Sequence, residues 1–141
     1  MLEGALAHVL RGSCLCGAVR FEVDEPFERV VQCHCASCKK LSGGVGTTNG
    51  RAKRESIRIV AGEDALRTFQ PEEGTTKTFC SVCGSNLFGG GWPDSPTASV
   101  RLSAIDDAVD EKPSAHIYVR SVAGWETLPD DDAERFETTT R

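Results

Sequence analysis

Cys33-His34-Cys35-Ala36-Ser37-Cys38 places three thiols within six residues. The other four cysteines stand as two pairs, Cys14/Cys16 and Cys80/Cys83, about 65 residues apart. C-x-C followed by C-x-x-C is a donor set that closes a tetrahedral zinc site with four thiolates, the form of a structural metal. Cys33, Cys35 and Cys38 leave one position of a tetrahedron vacant, the pattern of a working metal. Two zinc ions per chain are therefore expected, the second only partly occupied where its thiols have lost metal and oxidised. The fold follows from where these groups lie, since each pair needs a turn that points two sulfurs to one side.

Outward from the cysteines, the chain reads as short strands. Leu6 to Gly12 leads into Ser13-Cys14-Leu15-Cys16-Gly17, and Val19, Phe21 and Val23 then alternate with Arg20, Glu22 and Asp24. That period of two is a half-buried strand, so Cys14 and Cys16 sit at a hairpin tip. Arg29 to Gln32 is a strand that delivers Cys33. Ala36 to Leu41 makes one or two helical turns stopped by Gly43-Gly44, which sets Cys35 and Cys38 on one face. Gly43 to Thr48 is read as strand, with Arg51 to Arg54 a solvated basic loop. Ile57 and Ile59, then Leu66 and Phe69, give two strands around Gly62-Glu63-Asp64. Thr75 to Phe79 is a strand delivering the knuckle Cys80-Ser81-Val82-Cys83-Gly84, and Asn86 to Gly90 leaves it. Ala98, Val100 and Leu102 alternate, and His116 to Val119 is a further strand. Asp130-Asp131-Asp132 before Ala133 to Phe136 suits a short helix start, with acids at its positive end. Frequent turns and no long helix predict a mainly β, antiparallel zinc-binding domain with short helical turns. One domain over residues 1–141 is expected, its core at about 8–128 and a C-terminal tail over 129–141, of which Thr138 to Arg141 is mobile.

Composition narrows the function. Hydrophobic residues make up 39% of 141, so the fold leans on something besides apolar burial. An odd count of seven cysteines, and a Met1 to Leu10 stretch without the basic and apolar regions of an export signal, argue against a secreted disulfide framework. A cytoplasmic protein with reduced or metal-bound thiols is expected, with no membrane span. The net charge of −5 argues against non-specific nucleic-acid binding. Lys39 and Lys40 abut the three-cysteine group and are candidates to pair with a substrate carboxylate.

The three-thiol site carries a chemical preference. Three thiolates over-neutralise Zn²⁺, which makes a poor activator of water, and a visiting thiol is a softer ligand than water. A free thiol is about 3% ionised at pH 7, so metal binding raises the thiolate fraction by at most roughly 30-fold. Holding the second reactant beside that thiolate has to supply the rest. His34, between two ligands, is assigned a hydrogen-bonding role near the site rather than a place on the metal.

Gly12-Ser13-Cys14-Leu15-Cys16-Gly17-Ala18-Val19-Arg20-Phe21, Cys33 to Lys40 with Ser42-Gly43, Phe79-Cys80-Ser81-Val82-Cys83-Gly84, His116-Ile117-Tyr118-Val119 and Trp125 together resemble the glutathione-dependent formaldehyde-activating enzymes, whose domain is shared with centromere protein V. The resemblance implies a β-tent fold, a structural zinc on Cys14, Cys16, Cys80 and Cys83, and a catalytic zinc on Cys33, Cys35 and Cys38. It also implies condensation of glutathione with formaldehyde to S-(hydroxymethyl)glutathione, a carbon–sulfur lyase reaction run in reverse. Trp125 is expected to pack at the core or its edge. The alternative of another class is a zinc- and thiol-binding module without turnover. A zinc domain that binds protein or nucleic acid is disfavoured by the acidic balance.

Overall fold

In the computed structural model, which describes residues 8–139, eleven strands form two sheets. A three-stranded sheet joins β1 (His8–Ser13), β2 (Arg20–Glu25) and β5 (Ile57–Ala61) in the order β1-β2-β5. The larger sheet contains β3 (Arg29–Cys33), β4 (Thr47–Lys53), β6 (Leu66–Phe69), β7 (Lys77–Cys80), β8 (Asn86–Gly89), β9 (Thr97–Arg101), β10 (Ala115–Ile117) and β11 (Glu134–Arg135). Its order is β11-β10-β3-β4-β9-β8-β7-β6. The helix α1 (Ala36–Ser42) links β3 to β4. The expected mainly β architecture is present. It is not wholly antiparallel, since β10 runs parallel to both β3 and β11.

Period-two alternation sorts the larger sheet into two faces. Directly paired residues share a face, so Val30, Gly50, Val100 and Phe88 form one row across β3, β4, β9 and β8. This row belongs to the core, with Leu10, Phe21, Val23 and Ile57 supplied by the smaller sheet. Phe21 and Phe88 meet edge-on at 5.0 Å between the two sheets. Burial of each such ring contributes about 2–3 kcal/mol. The opposite face carries the rows Cys33–Thr47, Val31–Asn49–Arg101 and Arg29–Arg51–Ser99–Gly89. That polar face is the one on which the three-cysteine group lies.

Several local expectations change. Residues 43–46 form a turn, and the strand runs instead from Thr47 through Lys53, so Arg51 and Lys53 are exposed strand residues rather than a loop. Hydrogen bonding to β3 and β9 on both sides overrides the polar composition of this stretch. Ala133 to Phe136 is not helical. Glu134 N–H donates to Ser114, Phe136 N–H donates to His116, and β11 adds to the sheet beside β10. Four residues cannot offset helix nucleation, and a sheet edge offers ready partners. The expected tail is therefore hydrogen-bonded as far as Thr138, whose carbonyl accepts from Tyr118. The strand expected over His116 to Val119 ends at Ile117, because Tyr118 turns to φ 58°. Trp125 is 74% exposed, contrary to the expected packing. Its neighbour Glu126 turns inward to His34, which sends the indole outward. Leu6 and Ala7 of the first expected strand, and Thr140 and Arg141 of the tail, lie outside the described residues. Among the described residues no helix is long and apolar enough to cross a membrane.

Two candidate metal centres

Cys14 and Cys16 occupy the turn from β1 to β2, and Cys80 and Cys83 occupy the turn from β7 to β8. Their four Sγ atoms lie within 4.8 Å of one another. Tetrahedral zinc with four sulfurs at its usual bond length separates those sulfurs by about 3.8 Å. Cys14 and Cys16 are 3.6 Å apart and Cys16 and Cys80 are 3.9 Å apart, so the donor set fits. The backbone is shaped to hold it. Gly17 and Gly84 N–H groups turn back onto the carbonyls of Cys14 and Cys80 at 3.0 and 2.7 Å. Val19 and Val82 N–H groups donate to the sulfurs of Cys14 and Cys80 at 3.2 and 3.4 Å. Leu15 N–H donates to Ser85 Oγ at 2.9 Å, tying one turn to the other.

Electrostatics mark which thiols ionise first without metal. The Ser85 hydroxyl, helped by N–H groups of Ser85 and Cys16, lowers Cys83 to about 5. An N–H of Ala18 favours the Cys16 thiolate, yet burial and the neighbouring sulfurs win and raise it to about 11. Burial opposes ionisation of Cys14, but the Val19 N–H and the neighbouring thiols hold it below its ordinary value. Four thiolates this close repel one another, and a cation between them removes that repulsion.

Cys33 ends β3, Cys35 caps α1 and Cys38 lies in its first turn, and their sulfurs also fall within 4.8 Å of one another. Cys33 and Cys38 are each 5% exposed, while Cys35 is half-buried. Cys38 N–H donates to Cys35 Sγ at 3.4 Å, so Cys35 serves as the helix cap. The Cys33 and Cys38 thiols, with the Cys38 and Ser37 N–H groups, lower Cys35 to about 2. Its two sulfur neighbours push Cys33 up, and burial adds to this. Among the described residues no protein group completes a fourth ligand, because the metal-capable groups are these three and the four above.

The placement of Cys33 depends on Gly46. A Cβ there would stand 2.1 Å from the Cys33 carbonyl oxygen, at φ +148°, a conformation L side chains rarely adopt. Gly46→Ala is expected to cost about 3 kcal/mol and to displace Cys33. A metal count per chain should then fall towards one while the four-thiol centre stays filled; an unchanged melting curve and metal count would contradict this.

His34 points away from the sulfurs and is 1% exposed. Its Nδ1 faces Glu126 Oε2 at 3.2 Å and the Val45 carbonyl at 3.3 Å. Its Nε2 shares a hydrogen bond with His116 Nδ1 at 2.9 Å, and His116 Nε2 donates to Asp131 Oδ2 at 2.8 Å. This chain from Glu126 to Asp131 fixes the peptide between Cys33 and Cys35 from behind, which is the hydrogen-bonding role expected of His34. The His116 bond also holds the Asp131 carboxyl below its ordinary value.

The three sulfurs open onto a cavity of about 630 Å³. A larger cavity, about 1130 Å³, shares Arg101 with it and touches Cys14 and Cys83 of the four-thiol centre. Chemistry follows the vacant ligand position rather than size, which favours the smaller one. Lys39 and Lys40 do not line it. Lys39 Nζ donates to the Ser121 carbonyl, and Lys40 is exposed. The basic groups that do line it are Arg29, Arg51, Lys77, Arg101 and Arg120. Sequence reading did not assign Arg29, Lys77, Arg101 and Arg120 to the site and took Arg51 for a loop cation, because strand pairing rather than closeness along the chain brings them together. The strand register that unites Arg29, Arg51 and Arg101 on one face was their only local signal.

Comparison with known proteins accords with this layout. The profile of the family described as glutathione-dependent formaldehyde-activating enzyme matches residues 9–121. A protein of Halomonas elongata bearing the family's name is 33% identical over 139 residues, covering 90% of this chain and 85% of its own. The crystal structure of a Rhodobacter sphaeroides protein superposes with a TM-score of 0.58 at 21% identity, covering 72% of this chain and 92% of that one, and shares the fold.

Proposed function

The chain belongs to the glutathione-dependent formaldehyde-activating enzyme family, and from that premise we propose that it is a carbon–sulfur lyase joining a small thiol, glutathione, to formaldehyde. The observation that carries the reading is the trio Cys33, Cys35 and Cys38, gathered within 4.8 Å on the wall of a cavity rich in basic groups. In this reading Cys14, Cys16, Cys80 and Cys83 hold a structural zinc, and the trio holds a second. Zinc bound by the trio supplies a soft fourth position that keeps a visiting thiol ionised. The protein's own residues do the rest. Cys33 and Cys38, both buried, keep bulk water from two sides of the site. The His34–His116 chain prevents the loop between Cys33 and Cys35 from relaxing. The cationic wall draws an anionic thiol in and orients it, which converts an encounter into a positioned pair. In the reaction a sulfur–carbon bond forms, the carbonyl π bond breaks, and the thiol proton ends on the new hydroxyl. Seven free cysteines suit a reducing compartment such as the cytoplasm.

Exchange between glutathione, formaldehyde and their adduct is measurable by NMR. Zinc-replete protein is expected to speed that exchange above the buffer rate. No acceleration would remove the lyase reading, and glutathione binding without acceleration would favour a thiol-binding module without turnover.

A further inference from the structure

Arg101 differs from the other basic groups around the three-thiol cavity. It is only 3% exposed, and a buried guanidinium costs several kcal/mol in lost hydration unless its donors are met. Most of them are met. Nε donates to Asn86 Oδ1 at 2.5 Å, and Nη1 donates to Asn49 Oδ1 at 2.6 Å and Thr47 Oγ1 at 3.3 Å. Among the described residues Nη2 has no hydrogen-bond acceptor. Room for it comes from Gly89 on β8, where a Cβ would stand 2.6 Å from Nη2. A charged donor locked in place by three bonds, with its last nitrogen buried and unpaired in a residue that lines the cavity, is short of one acceptor.

Lys77 lies on the same wall and is partly buried. Burial, and next the charge of Arg101, lower the pKa of Lys77, while thiolates at Cys38, Cys35 and Cys33 act the other way. The same three sulfurs act on Arg101. Both cations therefore share one field with the trio, yet no sulfur is within bonding reach of Nη2. An anionic ligand in this cavity would supply the missing acceptor. Apart from the trio, Glu73 is the acidic residue among the described residues of this wall against five basic ones, of which Arg51 is paired to Glu28, so with a cation on the thiols the wall favours an anion. The cavity's 630 Å³ lies in the range that takes a small-molecule ligand of peptide size.

We propose that Arg101, with Lys77 beside it, forms a subsite for a carboxylate of the incoming thiol, so that the cavity selects carboxylate-bearing thiols over neutral ones of the same size. This rests on the lyase reading above, which puts the sulfur end of the ligand at Cys33, Cys35 and Cys38. The selection is steep because a neutral thiol leaves the guanidinium bare, whereas a carboxylate meets it with a charge-assisted bond.

Titration calorimetry on zinc-loaded protein without formaldehyde tests the subsite. The probes are glutathione, its diethyl ester, which keeps the thiol and loses both carboxylates, and S-methylglutathione, which keeps the carboxylates and blocks the thiol. Wild-type protein is expected to bind glutathione about 10- to 100-fold more tightly than the ester. Arg101→Gln should bring glutathione down to the level of the ester, leave the ester unchanged, and weaken S-methylglutathione. Lys77→Gln, at a less buried position, should act in the same direction by a smaller factor, and it carries the test if Arg101→Gln does not fold. Metal content per chain, measured in each variant, should stay at the wild-type value. Equal losses for glutathione and ester would overturn the subsite in favour of a general field effect, and equal wild-type affinities would overturn it outright. If the carboxylate preference holds while the NMR exchange assay shows no acceleration, the subsite stands and the lyase reading falls. If exchange is accelerated while ester and acid bind alike, the subsite alone falls.

Discussion

Removing the proposed metal from Cys14, Cys16, Cys80 and Cys83 is expected to unfold the protein. The β1–β2 turn belongs to the three-stranded sheet and the β7–β8 turn to the eight-stranded one, so the cluster bolts the two sheets together. Cys80 is fully buried and Cys14 is 4% exposed. Stripped of a cation, these thiols either stay protonated and crowd one another or ionise and repel. Apparent folding contributions of structural zinc run to about 10 kcal/mol, and a domain of this kind has only about 5–15 kcal/mol in total. Loss of the metal therefore removes most of what there is. Thermal melting under reducing conditions, with and without a chelator strong enough to empty both centres, measures it. Cys80→Ser should act alike without chelator. Chelated protein that holds no zinc and melts at the original temperature would refute the structural assignment.

How far the sequence speaks depends on the range of the interaction. Cysteine spacing is a local property, and both groups assemble as the spacing implied. The alternation of Val19, Phe21 and Val23, and of Ala98 and Val100, marked core-facing strands for the same reason. What stayed hidden was decided by partners far along the chain. Asp131 looked like a helix-starting acid, but its carboxylate accepts from His116, and the segment after it finds a sheet edge. Lys39 and Lys40 are neighbours of Cys38 in sequence, yet the helix carries them away from the cavity. Arg101 sits on the polar side of an alternating strand, where an arginine ordinarily faces water. Its burial follows from Asn86 and Asn49 on two neighbouring strands, a pairing no local pattern announces. Composition put the basic character in the wrong place for a similar reason. Charge along the chain gathers at Arg51 to Arg54, whereas charge around the cavity gathers from five separate segments.

Cys35→Ser is expected to abolish acceleration of adduct exchange while leaving the fold intact. Of the three sulfurs, Cys35 is the one whose surroundings favour the thiolate. Two neighbouring thiols and two N–H groups keep it near 2, and it is the one not fully buried. Serine keeps the size and the cap to the Cys38 N–H, so α1 has no reason to unwind. A hydroxyl does not ionise near neutral pH, and two thiolates on a half-open turn are a weak hold for zinc. The visiting thiol then returns to its solution ionisation, a loss of roughly 30-fold in thiolate. The loss of positioning at the same site compounds this, so the observed rate should equal that of buffer. Metal content should fall from two per chain to one, and the melting temperature should shift by only a few degrees, as for a substitution near the surface. The contrast with Cys80→Ser is what makes the pair informative. One variant loses the fold together with the metal, and the other loses a metal and keeps the fold. Full acceleration in Cys35→Ser protein carrying a single zinc would move the chemistry away from the trio altogether.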